Sequence, residues 1–172
     1  MGHSKDQQSD ESYDIYRDSL VRYLGYANEV GESFRYQFPR FVTPSYVIAV
    51  GYCAADSISK GYSTWTANPE AVAAEDSTRI HDTARATLDT LMWQSLASVA
   101  IPGATINTIV KASRWAIRRS SPMVVLPALA IEWIPTAMGL GSIPLIIRPI
   151  DEGVDYLMDH TARKIWPETK KI

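Results

Sequence analysis

Cysteine, a targeting signal and a dominant charge are all missing, or nearly missing, from this sequence. Its 172 residues include one cysteine, Cys53, which lies in an apolar run. A disulfide framework is therefore excluded, and a buried structural thiol is predicted. The first twelve residues are polar and partly acidic, and they resemble neither a secretory signal nor a cleavable organelle presequence. If the protein enters an organelle, we expect its address to be internal.

Patterns that carry chemistry are also scarce. The three histidines share no metal-ligand spacing with the cysteine or with one another: His3, His81 and His160. Ser95 and Ser98 lie on an apolar helical pattern and are interpreted as small packing residues. The net charge is −2 and no basic stripe dominates, which argues against nucleic acid as a partner. We predict a protein that is not an enzyme, with no catalytic residue, no cofactor, no metal site and no small-molecule substrate.

Charged residues make up 21% of the chain, yet three long stretches almost lack them, and Glu132 is the only charge in the longest. An α-helix needs ~20 predominantly apolar residues to cross the hydrocarbon core of a bilayer. The alternative is a soluble helical protein whose middle these stretches fill. The candidate membrane spans are residues 41–56, 88–110 and 121–147.

Strand patterns are weak throughout, and neither an internal repeat nor a domain linker stands out. We therefore predict an all-α fold, and the three nearly uncharged stretches favour a small multi-pass helical membrane protein. It has about three hydrophobic helices and amphipathic helices at both ends. Residues 1–12 are predicted to form a disordered polar tail, and residues 13–172 a single helical membrane domain.

Apolar residues recur at three- and four-residue steps from Tyr13 to Phe38, which predicts an amphipathic helix. Glu29 and Glu32 are expected on its polar side, opposite the apolar face. Gly25 and Gly31 each weaken such a helix by about 1 kcal/mol relative to alanine, which indicates close approach of another helix. The helix is predicted to pack on its own domain, with a helix lying on a lipid surface as the alternative.

Proline and glycine predict where the other helices begin, bend and end. Thr43-Pro44 is interpreted as a helix start, and residues 60–68 as a polar loop. Pro102-Gly103 is expected to kink or break the central span. The run after Ser121 is either one kinked span or a helical hairpin that turns near residues 139–142. An amphipathic helix is predicted after Pro149.

Small residues four apart allow close helix packing, and an acid and a base four apart allow an ion pair. Gly51 with Ala55, and Ala137 with Gly141, are therefore predicted to seat neighbouring helices. In the last helix we expect an ion pair between Asp159 and Arg163.

Polar residues inside the apolar runs are the candidates for functional or helix-bridging sites. Glu132 would be costly in a membrane unless it were paired, and such residues are candidates for functional sites. Gln94 and Asn107 are expected to hydrogen-bond across helices, which contributes about 1 kcal/mol. The alternative is that all three satisfy one another or the backbone, or face an interface.

Charge asymmetry predicts a topology. Residues 111–119 carry four positive charges and no acid, whereas residues 56–82 carry five acids and two bases. Lys and Arg favour the side from which a membrane protein is inserted. The 111–119 segment and the N-terminal helix are therefore predicted to lie inside, and the 56–82 segment outside. With three spans the C-terminal tail lies outside, and with a terminal hairpin it lies inside.

Three sequence blocks stand out: YRDSLVRYLGYANEVGESFR, WQSLASVAIPGATIN and IPLIIRPIDEGVDYLMD, which begin at Tyr16, Trp93 and Ile143. Together they resemble the family of mitochondrial fission process proteins, also called mitochondrial 18 kDa proteins. The resemblance implies a multi-pass protein of the mitochondrial inner membrane that affects mitochondrial division, inner-membrane integrity and apoptotic sensitivity. It implies no enzymatic activity, cofactor or catalytic residue. The segment 57–85 departs from the family pattern, which puts partners specific to that loop in doubt.

Three functional hypotheses follow. The first is a non-enzymatic integral membrane protein that acts through helix–helix and protein contacts, with the lipid bilayer and other inner-membrane proteins as partners. The second is an accessory subunit of a large inner-membrane, respiratory complex, whose neighbouring chains complete the imperfect spans. The third is a small transporter with Glu132 on its path.

Overall fold

The computed structural model describes Tyr16 and residues 20–67, 76–120 and 127–165. Within these ranges the chain is helical and contains no strand, as the prediction of an all-α fold requires. The predicted tail at residues 1–12 and the residues around Pro69 and Pro122 lie outside the described part. The helices are α1 (Ala27–Ser33), α2 (Val42–Thr66), α3 (Asp76–Gln94), α4 (Ile101–Ser120), α5 (Ala128–His160) and α6 (Ala162–Ile165). Short 3₁₀ turns at Leu20–Tyr26 and Pro39–Phe41 precede α1 and α2.

Over the described ranges, the bundle consists of three long helical segments: α2, the continuous segment formed by α3 and α4, and α5. The middle segment runs antiparallel to the other two. Gly61 of α2 meets Thr87 of α3, and Tyr46, near the start of α2, meets Gly103 of α4. The helix α2 therefore runs opposite to α3 and α4. Near the start of α5, Gly139 packs against Val110 of α4. Because Val154 and Met158, near the end of α5, cluster with Ala97, this helix also runs opposite to α3 and α4.

The segment from Asp76 to Ser120 is helical throughout, so of the two predicted outcomes at Pro102-Gly103, a kink or a break, the break is wrong. The irregularity is a π-helical turn at Ser95–Ala100, directly before the proline. In a regular α-helix the ring of Pro102 would clash with the carbonyl of Ser98, four residues earlier. That carbonyl lies in the wider π turn, which lets the helix continue past the proline.

α5 is also one helix, which runs through Pro135, Pro144 and Pro149. The alternative of a hairpin near residues 139–142 is therefore wrong. Contacts with the α3–α4 segment, from Gly139 to Met158, hold α5 together where proline propensity alone would interrupt it.

The ends of two predicted elements differ from their predicted positions. Thr43 is predicted to be the N-terminal cap of α2, but the helix already begins at Val42 and has no side-chain cap. Pro44 lies in its first turn, as predicted. The helix continues to Thr66, so the polar loop predicted at residues 60–68 is wrong. Gly61 is buried where α2 meets α3, and this contact extends the helix beyond its apolar part. The predicted pair of Asp159 and Arg163 is confirmed at 2.8 Å.

Among the described residues, one helical segment, Pro39–Thr66, is long and apolar enough to cross a membrane. This segment contains the predicted span 41–56. The predicted span 88–110 lies across α3 and α4, and most of 121–147 lies in α5; neither reaches the same apolarity in the described residues.

The N-terminal helix differs most from its prediction. The chain forms a 3₁₀ turn up to Tyr26, and α1 ends at Ser33 rather than at Phe38. Its orientation is reversed, because Glu29 and Glu32 are 0% and 2% exposed while large apolar side chains face outward. Those outward side chains include Tyr23, Leu24, Val30 and Phe38.

Glycine explains how α1 enters the bundle. Gly31 lies so close to α2 that a Cβ atom there would overlap Ser45, so the predicted close approach of another helix is confirmed. The two predicted small-residue pairs do not act in this way. Gly51 and Gly141 are exposed, and no atom lies within 4 Å of a Cβ placed on either. On α5 the glycine that packs closely against other helices is Gly139, which lies between the predicted pair Ala137 and Gly141.

Candidate functional site

A buried carboxylate, Glu32 of α1, is the centre of a polar network between the helices. Arg35 donates two hydrogen bonds to its two oxygens, at 2.6 and 2.7 Å. Tyr46 of α2 donates at 3.1 Å and Asn107 of α4 at 2.8 Å. Burial opposes ionisation of Glu32, but the bonds from Arg35 and Asn107 outweigh it and hold the pKa below its usual value of 4.5. One ionised side chain thus joins α1, α2 and α4.

Asn28 and Ser33 extend the network along α1. Asn28 Nδ2 donates to the carbonyl of Val99, in the π turn, at 3.2 Å. Ser33 Oγ donates to the carbonyl of Glu29 at 2.8 Å and lies against Gly139 of α5. The short helix α1 therefore contacts α2, the π turn, α4 and α5 through polar or small residues.

Glu29 is a buried acid whose two carboxylate oxygens have no hydrogen-bond partner. Burial raises its pKa from 4.5 to about 8, because the charged form loses its hydration. α1 is too short to cross a bilayer, and Glu29 lies outside the apolar segment Pro39–Thr66. With its pKa raised to about 8, the Glu29 side chain is expected to be mainly protonated and uncharged at pH 7.

This pKa predicts that the protein loses stability as the pH rises. Below about pH 4.5 both the folded and the unfolded chain hold the Glu29 proton, and between about pH 4.5 and 8 only the folded chain holds it. We expect the free energy of unfolding to fall by up to about 4 kcal/mol over that interval through this group. Glu29→Gln should remove this component, whereas Glu152→Gln, at an exposed position, should leave it. Urea titrations at pH 5 and 8 measure it, and equal pH dependence in wild type and Glu29→Gln would contradict the assignment.

A second polar cluster lies nearer the other end of α2. Gln94 Nε2 donates to buried Asp56 at 2.6 Å, and Ser98 Oγ donates to Gln94 Oε1, also at 2.6 Å. These residues line a cleft of about 480 Å³. At its edge Arg163 pairs with Asp89 at 2.9 Å and with Asp155 at 3.1 Å. The cluster ties α5 and α6 to the α2–α3 pair.

The three polar residues singled out in the sequence have different environments. Gln94 and Asn107 hydrogen-bond across helices, as predicted, but their partners are Asp56 and Glu32 rather than each other. Glu132 is exposed at the start of α5, and only its backbone carbonyl accepts a bond, from Gln37. It therefore lies outside the polar interior.

The other candidates play minor parts. Cys53 is a buried free thiol, as predicted. His81 is exposed, 4.0 Å from Asp82, and His160 is exposed on α5. His3 lies outside the described residues. In the part of the chain that the structure describes, no three His, Cys, Asp or Glu side chains come together as a metal site.

Sequence reasoning missed the buried polar residues that organise the interior. Asn28, Glu29, Glu32 and Asp56 are all buried, although the two glutamates were placed on a solvated face. The available signal was a second stripe on the same helix. Small and polar residues recur at three- and four-residue steps from Gly25 through residues 28–29 to 32, beside the apolar stripe that the prediction followed.

Hydrogen bonds of this kind hold helices in one arrangement. Glu32 accepts hydrogen bonds from three elements, and removing it would take this acceptor from Arg35, Tyr46 and Asn107 together. The network is therefore suited to fixing α1 between the long helices.

Comparison with known proteins places the chain in one family. The profile of the family described as Mitochondrial 18 KDa protein (MTP18) matches residues 15–158. The chain is 43% identical to "Mitochondrial fission process protein 1" of Homo sapiens over 169 residues, 98% of this chain and 97% of the relative. Proteins of the same name from Danio rerio and Caenorhabditis elegans are 44% and 45% identical and cover 92% and 90% of both chains. No solved structure matches the chain significantly. The protein belongs to the mitochondrial 18 kDa protein family, whose members include these mitochondrial fission process proteins.

Proposed function

We propose that this protein takes part in mitochondrial fission as a non-enzymatic, multi-pass protein of the mitochondrial inner membrane. It acts through helix–helix and protein contacts and supports the integrity of that membrane. The names of relatives that align over nearly the whole chain support the part in fission. The arrangement of polar and apolar side chains supports the membrane location.

That arrangement is the observation on which the proposal depends. Buried or half-buried positions hold charged and amide side chains that hydrogen-bond across helices, as Gln94 does to Asp56 and Asn107 to Glu32. Outward positions of α2 and α5 hold large apolar side chains: Val47 is 67% exposed, Ile58 68% and Leu145 74%. In lipid such outward groups need no cover, and polar groups must be satisfied inside the bundle.

The modest apolarity of the α3–α4 segment has the same cause. Gln94 and Asn107 lower its mean hydropathy, but both bond to acids on other helices. Hydropathy averaged along a helix counts such inward residues as if they met lipid. A helix with one satisfied polar side is compatible with a multi-pass bundle.

The second candidate is an accessory subunit of an inner-membrane complex. The exposed apolar faces of α2 and α5 favour it, because a neighbouring chain would cover them as well as lipid does. The transporter hypothesis loses its main residue, since Glu132 lies at the exposed start of α5 and not on an interior path.

Two measurements test the proposal. Carbonate extraction of isolated mitochondria should leave the protein in the membrane pellet, and release into the soluble fraction would contradict it. Depleting the protein from cells should change the length distribution of the mitochondrial network. Re-expressed wild type and Glu132→Gln should both restore it, and an unchanged network after depletion would exclude the part in fission. Co-migration with a respiratory complex on a native gel would favour the second candidate.

A further inference from the structure

The second half of α4 carries a basic face whose side chains take no part in the polar network around Glu32. Lys111, Arg114 and Arg118 follow one another on α4 at steps of three and four residues, so they share one side of the helix. None of them forms an ion pair with any acid in the described ranges. Their charges are therefore available to a ligand.

Aromatic rings hold this face in place. The guanidinium of Arg114 lies 3.8 Å above the ring of Tyr36, in the turn after α1. Trp115 is exposed next to it, and Arg119 lies 5.9 Å from that ring. A stacked arginine keeps the edge of its guanidinium free to bind an oxyanion.

Two adjoining clefts open at this face, and they differ in character. The first, about 420 Å³, is lined by basic and aromatic side chains: Tyr36, Lys111, Arg114, Trp115 and Arg118. The second, about 530 Å³, shares three of them and adds an apolar wall: Phe38, Ile131, Trp133 and Pro135. Glu132 and Gln37 also line the second cleft, and Glu132 forms no ion pair with its arginines.

We propose that this pair of clefts binds an anionic phospholipid, with its phosphate in the basic cleft and the start of an acyl chain in the apolar one. The inference rests on the membrane location proposed above. A free phosphate would use only the first cleft, whereas a phospholipid fills both. Aromatic and basic side chains are also the groups that anchor proteins at the level of lipid head groups.

The charges are tested with matched double variants of the full chain in a mild non-ionic detergent. Lys111→Gln/Arg118→Gln removes two exposed charges from the site. Arg148→Gln/Lys164→Gln removes two exposed charges elsewhere. The probes are phosphatidylglycerol, phosphatidylcholine and inorganic phosphate, and the readouts are lipid affinity and the shift in Tm. Equal far-UV circular dichroism and equal Tm without lipid establish that the variants fold.

We expect phosphatidylglycerol to bind wild type and the control variant more tightly than phosphatidylcholine does. The site variant should bind it about thirtyfold more weakly, since each Lys or Arg near an anionic membrane surface contributes about fivefold. If the double variant fails to fold, Lys111→Gln alone should bind phosphatidylglycerol about fivefold more weakly than wild type.

Three results would overturn the proposal: unchanged affinity in the site variant, equal binding of phosphatidylcholine, or an equal Tm shift with inorganic phosphate, which would identify a free-anion site. Its failure is distinct from failure of the proposed membrane location. A protein without this lipid site still resists carbonate extraction, whereas a protein that is not integral is released.

Discussion

Replacing Glu32 by alanine is expected to destabilise the protein by about 3 kcal/mol. The substitution removes the acceptor shared by Arg35, Tyr46 and Asn107. Breaking a buried hydrogen-bonded charge pair costs about 3–5 kcal/mol, and the value here is at the lower end because Arg35 is partly exposed. Urea unfolding in detergent micelles, followed by circular dichroism, measures the change.

Two other variants separate charge from packing. Glu32→Gln keeps the shape and an acceptor oxygen, so its loss should be smaller than that of Glu32→Ala. Glu152→Ala, at an exposed position on α5, should change the free energy of unfolding by less than about 0.5 kcal/mol. If Glu32→Ala were as stable as Glu152→Ala, the network would not be what holds α1 in place.

Alanine at two glycines of α5 is expected to have opposite effects. A Cβ on Gly139 would lie 2.6 Å from Ser33 Oγ and 2.8 Å from Val110 Cγ2. Ser33 is held by its bond to the carbonyl of Glu29, so it cannot move away without breaking that bond. Overpacking of this kind costs about 1–3 kcal/mol. At Gly141 a Cβ meets nothing within 4 Å, and alanine should stabilise the helix by about 0.5–1 kcal/mol.

The same unfolding titration compares the two variants directly. Gly51→Ala on α2 is a second control, because its Cβ position is also open, and it should behave like Gly141→Ala. Equal changes in the free energy of unfolding at Gly139 and Gly141 would mean that Ser33 of α1 does not pack closely against Gly139 of α5.

Local sequence patterns predicted the helical class, the apolar part of α2, the buried thiol of Cys53 and the Asp159–Arg163 pair. Each depends on residues close together in the chain. The break expected at Pro102 and the alternative of a hairpin in α5 are wrong, because the local cost of proline is outweighed by contacts with helices that are distant in sequence. A π turn before Pro102 cannot be inferred from residue type alone.

The polar interior was half predictable. Gln94 and Asn107 were identified because polar residues in apolar runs stand out. Glu29 and Glu32 were assigned to a solvated face because a helical pattern shows two sides but not which one faces the bundle. That choice is settled by donors such as Asn107, which lies 75 residues away from Glu32 in the chain.

Under the proposed function, the apolar side chains of α2 and α5 face lipid while the polar network lies inside the bundle. This arrangement is tested most directly by nitroxide labels in reconstituted liposomes, at Val50→Cys and Ile58→Cys in a Cys53→Ala background, with Ser77→Cys on α3 as an aqueous control. Both α2 positions are exposed side chains within the segment Pro39–Thr66. If this arrangement is correct, we expect more frequent collisions with oxygen than with a water-soluble nickel chelate at Val50 and Ile58, and the reverse at Ser77. Frequent collisions with the chelate at Val50 and Ile58 would contradict it.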